Sequence, residues 1–187
     1  MARRIAIIGM TIVGTLAALG IGAAAFVVSG IYDIGADDHQ TKPVLAAIEL
    51  LRERSIAARS GEIEVPNLED PLKIVAGADR YASLCVDCHL APGVTKSALR
   101  PGLYPHSPNL AQRVAPETRR AFWIVKHGIK MSAMPAWGKS LSDDEIWEIV
   151  AFEKKLPDMS EETYQQILAK SPGSANVRPM LSSADRP

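Results

Sequence analysis

Cys85, Cys88 and His89 stand in the run Cys-Val-Asp-Cys-His, which takes up both cysteines of this 187-residue chain. On a helical turn, two thiols three positions apart face the same side. Each can then form a thioether with one vinyl group of a porphyrin, and the adjoining imidazole lies under the metal as its proximal ligand. Two other chemistries use similar residues. A thioredoxin-like dithiol needs a surrounding βαβ pattern, and no alternating strand signal flanks this run. A zinc site needs four ligands at suitable spacing, whereas His39, His106 and His127 are scattered along the chain. Covalent attachment of one haem c, with His89 as iron ligand, is the chemistry these residues point to.

A haem that carries electrons has a second axial ligand, and a Met thioether raises its potential relative to a second imidazole. The segment from Gly128 to Gly138 holds Met131 and Met134, the latter directly followed by Pro135. Here the chain resembles the class I cytochrome c family, whose sixth ligand is typically a Met followed by Pro in such a loop. The resemblance implies Met134, and Pro135 restricts the backbone of the residue before it. Met131 is the competing thioether. His127 stands near a helix end, where a donor side chain suits the last carbonyls.

Further elements carry the same resemblance over residues 70–157. Asp70-Pro71 reads as an N-cap with Pro in the first turn of a helix running through Ile74, Gly77, Tyr81 and Leu84 into the cysteines. Ser142-Asp143-Asp144-Glu145 is a capping box for a helix carrying Ile146, Ile149, Val150 and Phe152 and ending near Leu156-Pro157. Gly77 and Tyr81 resemble the Gly and aromatic by which the family's first helix crosses its last, with Ile149 and Phe152 as the matching partners. Ser107-Pro108-Asn109-Leu110 resembles the family's Gly-Pro-x-Leu element, with Ser replacing the frequent Gly. The resemblance implies that the Pro108 carbonyl orients His89 and that Leu110 lies by the cofactor. Pro116 to Lys126 reads as a third helix, apolar at Ala121, Phe122, Ile124 and Val125. Trp123 on it is expected near the porphyrin edge, and Trp137 either there or in the core.

These elements predict an all-α haem domain. Ahead of it, Ile5 to Val28 carries no charge and is long enough to span about 30 Å of hydrocarbon. Arg3 and Arg4 precede this run, so the positive-inside rule puts the N-terminus in the cytoplasm and the following domain in the periplasm. A cleaved signal peptide ending near Ala23-Ala24-Ala25 is the competing reading, but its apolar core would be shorter. The predicted organisation is an anchor at 1–29, a linker at 30–69, the haem domain at 70–157 and an extension at 158–187. From Pro43 the linker predicts a helix with Val44, Ala47, Ile48 and Leu51 on one face. It could rest on the haem domain, the membrane or another subunit. A short helix is expected around Glu161 to Lys170, and Ser171 to Pro187 reads as a mobile tail.

Net charge is zero but unevenly spread. Between His89 and Ser140, Lys96, Arg100, Arg113, Arg119, Arg120, Lys126, Lys130 and Lys139 face one acid, Glu117. Such a dipole steers an acidic redox partner; balanced overall charge speaks against nucleic acid. The resulting expectation is a single-electron carrier, not an enzyme, tethered to the bacterial inner membrane. A fixed cytochrome subunit of a dehydrogenase or terminal-oxidase complex is the first alternative. A haem sensor or peroxidase-like enzyme with a labile sixth ligand is the second.

Overall fold

The computed structural model describes residues 1–38 and 40–171. It divides into two compact units, Met1–Asp38 and His39–Pro187. The expected mobile tail lies outside the described residues from position 172 onward, as does His39.

In the first unit the uncharged run becomes one long helix, α1 (Ala2–Ser29), which is long and apolar enough to cross a membrane. None of its residues is buried within the unit. Its apolar side chains all face outward, as expected of a segment whose solvent is lipid.

The second unit is helical, and among its described residues the one departure is an isolated bridge between Ala91 and Val94. Its helices are α2 (Lys42–Ser60), α3 (Pro71–Leu84), α4 (Val86–His89), α5 (Thr118–His127), α6 (Asp143–Glu153) and α7 (Glu161–Leu168). The Asp70 carboxylate accepts from the Leu72 N–H to start α3, with Pro71 in the first turn. Ser142 and Glu145 form the reciprocal capping box of α6. Both starts follow from local chemistry, because the first N–H groups of a helix have no partner within it.

The core is the crossing of α3 and α6. Tyr81, Ile146, Ile149, Val150 and Phe152 are almost completely buried, each contributing about 1.5–3 kcal/mol by leaving water. The crossing is close because of Gly77: a Cβ there would lie 1.9 Å from the Glu148 carbonyl oxygen and 3.0 Å from Phe152 Cβ. Tyr81 packs on Phe152 with ring centroids 5.4 Å apart. Arg80 then ties the outside of the crossing to Glu145 at 2.8 Å and Glu148 at 2.7 Å.

Three sequence expectations need correction. The third haem-domain helix starts at Thr118, because the Glu117 carboxylate caps the N–H groups of Arg119 and Arg120 and leaves Pro116 outside. On α2 the expected face is met at Val44 and Ile48, which are half-buried, but not at Ala47 and Leu51, which are exposed. From Ile48 the inward face runs on through Arg52, Ile56 and Ser60, four residues apart, with Ile56 only 1% exposed. The face is rotated because α2 packs beside α5 and Glu53 pairs with Arg120 there. Finally, Ser171 is not the start of a loose tail: it is buried and donates to Asp79 at 3.0 Å. α7 likewise belongs to the core, with buried Tyr164 against Phe152 at 6.0 Å.

Candidate functional site

A cleft of about 590 Å³ opens between α2, α3, α5 and the intervening loops, within the range of about 300–1,000 Å³ usual for cofactor sites. Its lining brings together Cys85, Cys88, His89, Pro108, Leu110 and Met134. Trp137 lines it as well. Trp123 does not. On α5, Ala121, Ile124 and Val125 line the cleft, and at about 100° per residue Trp123 falls on another side of the helix. There it packs on the ring of His127 with centroids 4.8 Å apart.

The two thiols and the imidazole are presented by helical backbone. The Cys85 carbonyl accepts from the N–H groups of Cys88 at 3.1 Å and His89 at 2.8 Å. The carbonyls that a short helix leaves unpaired at its end need partners from elsewhere, and the loop after α4 supplies them. Arg100 and the Ser107 hydroxyl both donate to the Cys88 carbonyl, Ser97 donates to that of Asp87, and the Leu110 N–H donates to that of His89 at 3.1 Å. The Ser at position 107, where the family often has Gly, thus makes a bond that Gly could not make. Leu90 ends the turn at φ 61°, ψ −179°, a region that costs a residue with a side chain about 1–3 kcal/mol. The buried Tyr81 hydroxyl holds it by donating to the Leu90 carbonyl at 2.7 Å.

His89 Nδ1 lies 3.0 Å from the Pro108 carbonyl oxygen. A carbonyl only accepts, so Nδ1 carries the proton and the Nε2 lone pair is left for a metal. Burial lowers the pKa of His89, opposed by the bond to Pro108, which keeps the ring in the neutral form that ligates metals. Burial also pushes the Cys85 thiol up to about 12, and that of Cys88 upward too. Reactive dithiols have depressed pKa values, so this pair is poorly suited to disulfide exchange. Among the described residues no group of three or more His, Cys, Asp or Glu is placed to share a metal ion.

Met134 reaches the cleft from a loop with its own fastenings. Ser132 Oγ donates to the Ile129 carbonyl at 2.8 Å and accepts from the Met134 N–H at 3.2 Å. The Ile129 N–H donates to the Met134 carbonyl at 3.2 Å. Gly128, at φ 65°, lets this strand of chain lie against the end of α5: a Cβ there would be 2.7 Å from the Met134 oxygen. Met131 is 74% exposed and does not line the cleft. His127 is exposed at the end of α5.

Two contributors were not singled out from sequence. α2 supplies Glu49, Arg52, Glu53 and Ile56 to the cleft, with Arg52 bonded to Glu53 at 3.1 Å and Glu53 bonded also to Arg120. Glu153, the last residue of α6, lines the cleft and is only 7% exposed. No local signal marks either one; both arise from which face of a helix meets its neighbours.

The residues fit a covalently held haem: two thiols and an imidazole on one turn, the imidazole oriented by a carbonyl, and a thioether lining the same cavity. Residues 73–152 match the family described as cytochrome C oxidase, cbb3-type, subunit III. No curated protein and no solved structure matches the chain. The match runs from within α3 to the last residue but one of α6, so α2, Glu153 and α7 lie beyond it. An all-helical unit with this crossing, this cleft and this match makes residues 73–152 a class I cytochrome c-like domain, carried on a chain that begins with an apolar helix able to span a membrane.

Proposed function

We propose that the protein is a membrane-tethered monohaem cytochrome c that accepts and donates single electrons on the periplasmic side. The observation that carries this reading is the shared cleft of Cys85, Cys88, His89 and Met134, with His89 fixed by the Pro108 carbonyl. Cys85 and Cys88 attach the haem, and His89 and Met134 are the axial ligands. A bound haem supplies one-electron oxidation and reduction without bond making. The chain holds the ligands in place in both states, excludes water with Leu110, Ile124 and Val125, and orients His89. Trp137 is assigned to the cleft wall; Trp123 is assigned to the outer side of α5.

The partner surface is the basic segment between His89 and Ser140. Three of its eight cations are engaged internally: Arg100 with the Cys88 carbonyl, Arg120 with Glu53, and Lys126 with Asp143 at 2.7 Å. Lys96, Arg113, Arg119, Lys130 and Lys139 therefore supply the field that attracts an acidic redox protein or membrane oxidoreductase complex. The polarity follows from Arg3 and Arg4 on the cytoplasmic side of α1.

A second reading, that the chain is a fixed subunit of a terminal oxidase, draws on the family match and on Leu50 and Leu51 of α2, which are 60% and 71% exposed. Purification in mild detergent separates the two: a carrier comes away alone, whereas a subunit brings its complex. The test of the ligand set is the optical spectrum of the oxidised protein. Met134→Ala abolishes the Met-to-iron charge-transfer band, and Met131→Ala leaves it. Loss of the band in Met131→Ala alone would overturn the assignment.

A further inference from the structure

The carboxylates at the cofactor cleft and the α3–α6 crossing differ in their surroundings, and Glu49 of the cleft lining lies 4.0 Å from Arg52. Glu145 and Glu148 are paired with Arg80. Glu53 is paired with Arg120 and Arg52. Glu153 lies on the same helix as the first pair and lines the same cleft as Glu53, yet it is buried without a hydrogen bond or ion pair to any described residue. A carboxylate in such a place has lost most of its water without gaining a cation.

Its neighbours do not offer one. From α3, Tyr81 and Cys85 face it, and its negative charge raises the pKa of both; neither is a cation. From α7, Tyr164 adjoins the same groups. From α5 and α2, the guanidinium groups of Arg120 and Arg52 at the cleft are held by Glu53. Burial is the sole cause of the shift at Glu153, which brings its pKa to about 7. Lys154, next in sequence, is exposed, and Lys155 is bonded to Glu69 at 2.6 Å.

We propose that Glu153 is a proton-binding site coupled to the electron at the haem: its carboxylate takes up a proton when the iron is reduced and releases it when the iron is oxidised. The balance is one electron from a one-electron donor, converting ferric to ferrous iron, and one proton from solvent, converting carboxylate to carboxylic acid. No covalent bond other than the O–H bond is made or broken. The coupling is electrostatic. Ferric iron carries one more positive charge than ferrous iron, and inside a low-dielectric cleft that charge favours the ionised carboxylate. Reduction removes it, and the desolvated group protonates. Glu53 responds little, because its charge is already balanced by arginine.

This inference rests on the haem reading, so the protein used is full-length holoprotein whose mass shows one attached haem. A chain of unmodified mass would defeat that reading, not this one. Redox titrations from about pH 5 to about pH 9 are run on the parent and on Glu153→Gln. The parent's potential falls with pH near neutrality, approaching a tenfold change in the oxidation equilibrium per pH unit, about 59 mV for one electron. Glu153→Gln is flat over that interval. The proposal is overturned by a pH-independent parent, or by a variant that keeps the parent's slope, which would assign the proton to a haem propionate. Should Glu153→Gln not accumulate, the reduced-minus-oxidised infrared spectrum of the parent, labelled with ¹³C at its glutamate carboxyls, gives the answer. An isotope-shifted carboxylic acid band gained on reduction supports the site, and its absence rejects it.

Discussion

The His89 wall and the Met134 wall of the cleft are built by different means. His89 sits on a helical turn that continues from α3, is clamped by loop donors to three successive carbonyls, and is backed by the α3–α6 crossing. Met134 hangs on a loop whose shape depends on one glycine and one serine hydroxyl. The first wall shares the stability of the whole unit. The second can fail locally, since segments held by few buried contacts open at lower cost than the core. If a sixth ligand were to dissociate in this protein, it would be the thioether.

That contrast can be broken at three points. The largest effect belongs to Gly77→Val, whose side chain would collide with the Glu148 backbone. Overpacking costs about 1–3 kcal/mol, and more where backbone must move, so thermal unfolding should show loss of the whole helical unit and of haem attachment together. Next is Gly128→Ala, at a positive φ and against the Met134 carbonyl, with a cost of about 1–3 kcal/mol. It should abolish the Met-to-iron band while the helical circular dichroism and covalent haem persist; unfolding of the entire unit would show that the two walls are not separable.

The smallest effect is a pH dependence at the rim of the crossing. Hydrogen bonds from Arg80 and from Ser142 hold the Glu145 carboxyl at about 2, below its usual 4.5. A lowered folded-state pKa gives stability that is present above about pH 4.5 and lost as pH falls toward 2. Glu145→Gln should therefore be less stable than the parent at neutral pH, with the difference shrinking across that acid interval in denaturant titrations. Parallel curves at all pH values would contradict the role given to this pair.

What could be read from the sequence was whatever local chemistry fixes. The Asp70 cap, the Ser142–Glu145 box, Gly77 opposite Phe152 and the all-α class follow from neighbours in sequence or from a recognisable motif, and the fold has them. The spacing of Cys85, Cys88 and His89 is likewise local, and the fold sets all three in the wall of one cleft. The inward face of α2 shares Val44 and Ile48 with the expected stripe but not Ala47 and Leu51, because Arg120, distant in sequence, draws Glu53 inward. Residue type alone points Trp123 toward a porphyrin edge, and the rotation of α5 turns it away from the cleft onto His127. The core role of Tyr164, the strained backbone of Leu90 and the isolation of Glu153 depend on segments far apart in sequence, and nothing adjacent to them records it.

The central claim is that this chain covalently carries one haem through Cys85 and Cys88. Its most direct test is the intact mass of the protein made in a host competent for cytochrome maturation, after denaturing extraction. A mass greater than the polypeptide by one haem, lost in Cys85→Ala/Cys88→Ala, is the predicted result. A parent protein with the mass of the bare chain would contradict the account.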